Sequence, residues 1–167
     1  MKFEGELPSI SSVNFYKKAF NNGHWKFPEQ MGGVWTDKNC PVGFIYVIRD
    51  NYLERFYLGK KSYFGKSGNN KGKESAWRSY QSSSKALAEM FKERPKEEFE
   101  FICLEQYMTR GTLSYSETWS LCLVEAPTNV RWYNTLIEKV SWPVKEPISQ
   151  RHKDRLADVI QMKEFKE

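Results

Sequence analysis

A chain of 167 residues, 40% of them hydrophobic and 16% aromatic, can bury a core large enough for one domain. It contains no run of 18 apolar residues that could span a membrane. Its two histidines and three well-separated cysteines lack zinc-ligand spacing, which argues against zinc hydrolases, HNH-type nucleases and proteases with a Cys-His pair.

Most of the positive charge is concentrated in one stretch of the chain. Residues 55–80 contain seven basic residues and the single acid Glu74. The net charge of this stretch, +6, therefore exceeds the +5 of the whole chain. A localised positive field attracts polyanions and raises their encounter rate. A solvated, lysine-rich loop would show the same pattern, so the charge alone leaves both interpretations open.

The first half of the chain predicts an irregular segment followed by a β-hairpin. Residues 1–41 are mixed in composition, with one short helix expected at about 13–20. Residues 43–49 are almost wholly apolar and β-rich, as in a central strand, and after a turn residues 54–61 form its partner. The three glycines within residues 62–73 predict a mobile loop.

The second half predicts two helices around a third strand, and then a terminal helix. A serine run can cap a helix that ends at about residue 94, before a proline. A strand over 98–104 follows, then a helix over 112–125 that also ends at a proline. Residues 129–140 form a short element, and residues 147–165 form a charged amphipathic helix.

The order β-β-α-β-α predicts an α+β fold with a small mixed, mainly antiparallel three-stranded sheet flanked by helices. We divide the chain into an N-terminal extension (1–41), a central domain (42–140) and a C-terminal helical tail (141–167). Residues 1–41 and 147–165 are the candidates for contacts with a second copy of the chain or with a partner protein.

Glu117 is the most informative carboxylate in the predicted helices. It shares one helix face with Leu113, Leu121 and Val124, which recur at helical spacing. A carboxylate among inward-pointing residues is costly unless it is paired or bound to a cation. The alternatives are a metal ligand, a partly exposed residue at the edge of the apolar stripe, or a salt bridge to Arg78.

Two tyrosines of the hairpin are the next candidates. Strand alternation places Tyr46 on one side together with Phe44 and Ile48, and Tyr57 lies on the partner strand. Paired strand tyrosines are commonly core residues. Gly59 favours a functional interpretation, because a glycine within a strand allows a backbone or ligand to approach closely. Neighbouring cations would then favour the ionised form of the Tyr57 phenol.

At these positions the chain resembles the GIY-YIG endonucleases, in particular a phage-associated subgroup. Phe44-Ile45-Tyr46 and Tyr57-Leu58-Gly59, with ten residues between the two tyrosines, look like the paired motifs that name the family. The first motif departs from its name, because Phe44 stands in the glycine position. The resemblance covers about residues 42–136.

Three further residues follow in the order that the family shows. Arg78 lies before the first predicted helix and corresponds to the family's catalytic arginine, with Lys61 or Lys73 as stand-ins because a glycine-rich insertion displaces it. Glu117 follows Tyr57 by 60 residues and corresponds to the metal-binding glutamate, and Asn134 follows Glu117 by 17.

The resemblance implies a specific chemistry. Glu117 would bind one divalent cation, Mg²⁺ or Mn²⁺, and Tyr57 would serve as general base for an attacking water. Tyr46 would orient the water or the phenol, Arg78 would clamp the scissile phosphate, and Asn134 would support the site. The candidate substrate-binding residues are Lys60, Lys61, Lys66, Lys71 and Lys73.

The expected function is hydrolysis of phosphodiester bonds in DNA by a phage or mobile-element endonuclease. The alternative is a nucleic-acid-binding module that keeps the fold but has weak or no activity, and a third possibility is an interaction protein with a merely solvated basic loop. The first residues lack the apolar region of a secretory signal, so we expect a cytoplasmic location, in the host if a phage encodes the chain.

Overall fold

The computed structural model describes residues 22–27 and 40–164, and a four-stranded sheet forms its centre. The strands are β1 (Trp25–Lys26), β2 (Gly43–Asp50), β3 (Arg55–Ser62) and β4 (Phe99–Tyr107). Their order is β1-β4-β2-β3, with β2 antiparallel to both β3 and β4, and β1 parallel to β4. The predicted α+β class and mainly antiparallel sheet are confirmed.

The sheet has one strand more than predicted. The additional strand is β1, whose two residues are too few to show the alternation that reveals a strand in a sequence. Trp25 of β1 is nevertheless buried, and its ring centroid lies 4.8 Å from that of Tyr46. The helix predicted at about 13–20 lies outside the described residues, and the division of the chain into three parts stays a prediction.

Three helices flank the sheet, close to their predicted positions. They are α1 (Lys85–Glu93), α2 (Arg110–Leu123) and α3 (Gln150–Ile160). Each begins after a hydroxyl residue that accepts a hydrogen bond from a backbone N–H in the first turn; the caps are Ser84, Thr109 and Ser149. The helix predicted over 147–165 begins later because Ser149 caps it, and it ends earlier, at Ile160. No helix within the described residues is long and apolar enough to cross a membrane.

The two faces of the sheet are covered by different helices. Phe44, Tyr46 and Ile48 of β2 share one face, as predicted, in an aromatic cluster that also receives α1. Ile45 and Val47 lie on the opposite face, where α2 and α3 pack. Since β2 is covered on both faces, its continuous apolar sequence follows from its central position.

The glycine-rich segment after β3 has a defined backbone. The Gly65 N–H donates to the Lys73 carbonyl at 2.9 Å, and the Gly72 N–H donates to the Gly65 carbonyl at 3.1 Å. Between them lies a short 3-10 turn at Gly68–Asn70. The glycines therefore shape a compact, hydrogen-bonded loop that presents its lysines to solvent.

The segment predicted as a short element over 129–140 contains neither helix nor strand. It runs along the outer edge of β3, where Trp132 forms an isolated parallel bridge with Phe56. The Tyr133 N–H donates to the Phe56 carbonyl at 2.7 Å. This irregular segment therefore covers part of a strand edge that would otherwise be open.

The Asp50 carboxylate at the end of β2 joins three parts of the chain. It is fully buried and accepts hydrogen bonds from two Arg94 nitrogens at 2.6 and 2.7 Å and from the Tyr133 hydroxyl at 2.8 Å. Although burial opposes ionisation, these hydrogen bonds lower the pKa of Asp50 below its ordinary value.

We expect Asp50→Asn to lower the free energy of unfolding at pH 7 by about 3 kcal/mol, because Arg94 would lose its buried ionic partner. Since the folded-state pKa is lowered, this stabilisation is present above about pH 4 and is lost as the pH falls through the folded-state value. Urea unfolding at pH 7 and pH 3 should therefore show a smaller pH effect in the variant. Asp154→Asn, at an exposed position, is the control; equal stability of Asp50→Asn and wild type at pH 7 would contradict the prediction.

Candidate active site

The Tyr46 phenol lies directly over Gly59. The two residues are paired across β2 and β3, and a Cβ atom added at Gly59 would lie 2.5 Å from the Tyr46 hydroxyl. Next to Tyr46, the pairing of β2 with β4 shifts by one residue, a β-bulge of the kind that often adjoins active sites. The glycine of the second motif is therefore required because the tyrosine of the first motif fills the space above it.

We expect Gly59→Ala to displace the Tyr46 phenol and to reduce any nuclease activity by about 100-fold, because a shift of about 1 Å in a reacting group has effects of that size. Cleavage rates of the purified variant measure this, and its thermal midpoint checks the fold. Wild-type cleavage by a folded Gly59→Ala protein would show that the close contact is not needed.

Tyr57 lies beside Tyr46 on the same face of the sheet. The two ring centroids are 6.3 Å apart, and Tyr57 is half-buried whereas Tyr46 is only 1% exposed. Burial raises the pKa of Tyr57, although a hydrogen bond with Ser83 opposes the shift. The expectation that neighbouring cations favour the ionised phenol is wrong for the chain by itself, because desolvation and then the charges of Tyr80, Glu117 and Glu138 raise the pKa of Tyr57.

Tyr80 is a third phenol at the site, and sequence reasoning missed it. Its ring packs edge-on against Tyr46 at 6.2 Å between centroids, and the two side chains are hydrogen-bonded. The Lys61 ammonium lies 4.0 Å from the Tyr80 ring centroid. Burial raises the pKa of Tyr46 well above its ordinary value, and Tyr57 and Tyr80 add to the shift. Because Tyr80 lies in an irregular segment, no periodic pattern marked it.

The Glu117 side chain reaches the outer edge of β3 from α2. Its Oε2 accepts a hydrogen bond from Lys60 Nζ at 2.5 Å, and the Lys60 backbone N–H also donates to the carboxylate. The side chain is 14% exposed. Burial raises the pKa of Glu117, although the hydrogen bonds from Lys60 oppose the shift. The alternative of a salt bridge to Arg78 is wrong, because Glu117 is paired with Lys60.

Glu117 acts electrostatically on both hairpin phenols. Its negative charge is one of the smaller causes that raise the pKa of Tyr46 and of Tyr57, after burial. The phenols lie on one face of the sheet and α2 on the other, and they approach each other at β3 because this strand forms one edge of the sheet. Glu117, which follows Tyr57 by 60 residues along the chain, is thus near enough for its charge to act on both tyrosines.

Arg78 lies in a 3-10 turn over Trp77–Ser79, before α1. Its guanidinium is ion-paired with Glu74 and lies 4.4 Å from the centroid of the Trp77 ring. The Trp77 side chain is itself buried in the aromatic cluster beside Phe44. Arg78 is therefore anchored through an acidic partner and a core tryptophan rather than by a helix.

The loop lysines do not all lie in the same place. Lys66 is exposed as a residue, but partial burial of its ammonium lowers its pKa; Lys60 and Arg110 add to the shift, and the charges of Glu138 and Glu117 oppose it. Lys66 thus belongs to the same electrostatic cluster as Glu117. Arg110 and Glu138 also belong to this cluster, and the sequence analysis did not predict them as site residues. The other loop lysines, Lys71 and Lys73, are exposed on the glycine-rich loop.

Asn134 is bound to the backbone of β3. Its side-chain oxygen accepts from the Leu58 N–H at 2.9 Å, and its side-chain nitrogen donates to the Leu58 carbonyl at 2.7 Å. The amide thus takes the place of a neighbouring strand at Leu58, the residue before the motif glycine Gly59. This geometry is that of a supporting residue.

Both histidines are neutral at pH 7 and are engaged in packing. His152 is buried between the Tyr107 hydroxyl at 2.9 Å and the Ser120 hydroxyl at 2.8 Å. His24 stacks on Phe101 with 3.9 Å between ring centroids. Burial lowers the pKa of each to about 4.

The residues at the edge of β3 fit a single divalent cation. Within residues 22–27 and 40–164, no three His, Cys, Asp or Glu side chains are grouped around one point. The candidate ligand is the single Glu117 carboxylate, whose side chain is 14% exposed. A hard cation such as Mg²⁺ prefers oxygen ligands and often takes one or two carboxylates, with waters and phosphate oxygens completing its shell. Burial raises the pKa of Glu117, and a bound cation would stabilise the ionised form of this carboxylate.

A comparison with protein families agrees with this geometry. The model described as "Putative endonuclease segE, GIY-YIG domain" matches residues 25–137, which is more than half of the chain. The match begins at β1 and ends in the segment that contains Asn134. No curated protein and no solved structure matches the chain. Since this family model covers more than half of the chain, we conclude that the chain belongs to the GIY-YIG endonuclease family.

Proposed function

We propose that the chain is an endonuclease that hydrolyses phosphodiester bonds in DNA with one divalent cation, Mg²⁺ or Mn²⁺, held by Glu117. One observation supports this above all others. The partly buried Glu117 carboxylate lies at the edge of β3, where its charge acts on both hairpin phenols and where Lys60 and Lys66 bring positive charge. A phosphate group requires such neighbouring cations.

In this proposal Tyr57 is the general base and Tyr46 orients it. Tyr46 is the more deeply buried of the two and its pKa is raised further, so water reaches Tyr57 more easily. The hydrogen bond with Ser83 favours the ionised form of Tyr57. When bound, the cation supplies positive charge that stabilises the oxyanions of the cleaved phosphodiester.

The remaining residues bind the DNA substrate or keep strand β3 of the protein in position. Arg78 clamps the scissile phosphate, with Lys61 or Lys73 as alternatives for that role, and Asn134 keeps β3 in place. The phosphates on either side of the cleaved bond are held by the lysines of β3 and the loop. These are Lys60, Lys61, Lys66, Lys71 and Lys73.

A second candidate function is a nucleic-acid-binding module with weak or no activity. It is favoured by the ion pair between Arg78 and Glu74, which already neutralises the guanidinium. The altered first motif does not favour it, because Phe44 is fully buried in the aromatic core and packs against Tyr63 at 5.2 Å. A module of this kind would bind DNA in a salt-sensitive manner without cutting it.

Supercoiled plasmid incubated with the purified protein distinguishes the two. The endonuclease proposal expects nicked or linear DNA with Mg²⁺ or Mn²⁺ and intact plasmid with a chelator. Binding that weakens with salt, without cleavage in any divalent metal, would instead support the binding module. A protein indifferent to DNA would exclude both.

The proposed setting is the cytoplasm, or the host cytoplasm if a phage encodes the chain. A homodimer or partner contact would use residues 1–41 or 147–165. The apolar side chains of α3, including Leu156 and Val159, are buried against the sheet, so α3 could contribute only its polar face.

A further inference from the structure

The Lys60 ammonium is shared between two carboxylates. Lys60 Nζ lies 2.5 Å from Glu117 Oε2 and 3.2 Å from Glu138 Oε2. The two carboxylates differ in environment, because the Glu117 side chain is 14% exposed and the Glu138 side chain is 77% exposed. One ammonium therefore has a buried partner and a solvated partner within its reach at the same time.

Glu138 is held in this position by the helix that carries Glu117. The Thr118 hydroxyl, next to Glu117 on α2, donates to the Glu138 backbone carbonyl at 2.9 Å. Four residues earlier in the same segment, Asn134 is fixed to β3 by two hydrogen bonds to Leu58. Both ends of the short stretch from Asn134 to Glu138 are thus tied to elements of the site, so the Glu138 carboxylate is positioned beside Lys60.

Any other cation that binds Glu117 must compete with the Lys60 ammonium. At contact distance the two positive charges repel each other, so the ammonium has to move. Lysine has a flexible four-carbon stem and can do so without a change in the backbone. Glu138 offers a second carboxylate that the ammonium already contacts.

We propose that Lys60 competes with the divalent cation for Glu117, and that Glu138 is a positioning residue that holds the Lys60 ammonium when the cation is bound. This inference rests on the proposed function, because it takes Glu117 as the metal ligand. Lys60 and Glu138 together then set the metal affinity of the site, independently of the cleavage step.

Binding of Mn²⁺ to the full chain, followed by electron paramagnetic resonance at pH 8, tests the competition. Lys60→Met keeps the length of the side chain and removes its charge, and it should bind Mn²⁺ about tenfold more tightly than wild type, since a partly buried ion pair is lost as a competitor. Lys139→Met removes an exposed charge next to Glu138 and is the matched control, with a change below about threefold. Glu117→Gln should lose this binding.

Glu138→Gln tests the positioning role. It should weaken Mn²⁺ binding severalfold when Lys60 is present, because the displaced ammonium loses its alternative partner. In the Lys60→Met background the effect should be clearly smaller, because only the coulombic attraction of Glu138 for the cation remains; a double-mutant cycle measures the difference directly. An equal or larger loss of binding in that background would make Glu138 a direct ligand and overturn the positioning role.

The remaining outcomes separate this inference from the proposed function. If Lys60→Met binds Mn²⁺ no more tightly than wild type while Glu117→Gln abolishes binding, the competition is overturned and the metal site at Glu117 stands. If neither wild type nor Lys60→Met shows binding that depends on Glu117, the metal-dependent function and the inference both fall. Thermal midpoints of all variants show whether they are folded.

Discussion

Glu117→Gln is expected to reduce DNA cleavage by about a thousandfold, since it removes the carboxylate that would hold the cation beside the reacting phosphate. Glutamine keeps the shape of the side chain and can still accept a hydrogen bond from Lys60, so the fold should persist. Initial rates of plasmid nicking at saturating Mg²⁺ give the measurement.

A matched control comes from α1. Glu89→Gln replaces a glutamate that is exposed and paired with Lys92 on the surface, so its cleavage rate should equal that of wild type. Raising the Mg²⁺ or Mn²⁺ concentration should not restore Glu117→Gln. Retention of wild-type rates by a folded Glu117→Gln protein would remove the metal mechanism altogether.

The second large effect is expected from Tyr57→Phe. Loss of a general base typically lowers the rate by about 10²–10⁴-fold. Binding of DNA, measured without divalent metal, should change little, because the phenol is not one of the phosphate-binding cations. The loss should therefore appear in kcat rather than in the affinity for DNA.

The pH profile tests the same role. Burial raises the pKa of Tyr57, so below that pKa the fraction of ionised base increases with pH, and the wild-type rate should rise between pH 7 and pH 9. The residual rate of Tyr57→Phe should be flat over this range. Tyr46→Phe is the informative comparison, and it should keep the rise with pH. If instead Tyr46→Phe loses the rise and Tyr57→Phe keeps it, Tyr46 is the general base and Tyr57 is the residue that orients it.

Much of the fold followed from local sequence patterns. The apolar run of β2 predicted a central strand, and the serine run before an amphipathic stretch predicted the start of α1. The shared face of Leu113, Glu117 and Leu121 was also apparent, because helical spacing depends only on neighbours along the chain. Each of these features depends only on residues that are close together along the chain.

Contacts between distant segments could not be predicted in this way. The partner of Glu117 is Lys60 rather than Arg78, and nothing in the spacing distinguishes the two. Tyr80 and Glu138 lie in segments without helix or strand, where no periodicity indicates which way a side chain points. The upward shift in the pKa of Tyr57 depends on how deeply the packing of the aromatic cluster buries the ring, which the surrounding lysines did not reveal.

The outer edge of β3 has a consequence for self-association. An uncovered edge strand is a template on which another chain can add a strand, and this is a common route to aggregates. Here the outward backbone groups of β3 are already hydrogen-bonded. Those of Phe56 pair with Arg131 and Tyr133, those of Leu58 with Asn134, and the Lys60 N–H with Glu117. The groups at the candidate site thus also shield this edge from intermolecular sheet growth, so substitutions there would affect solubility as well as any activity.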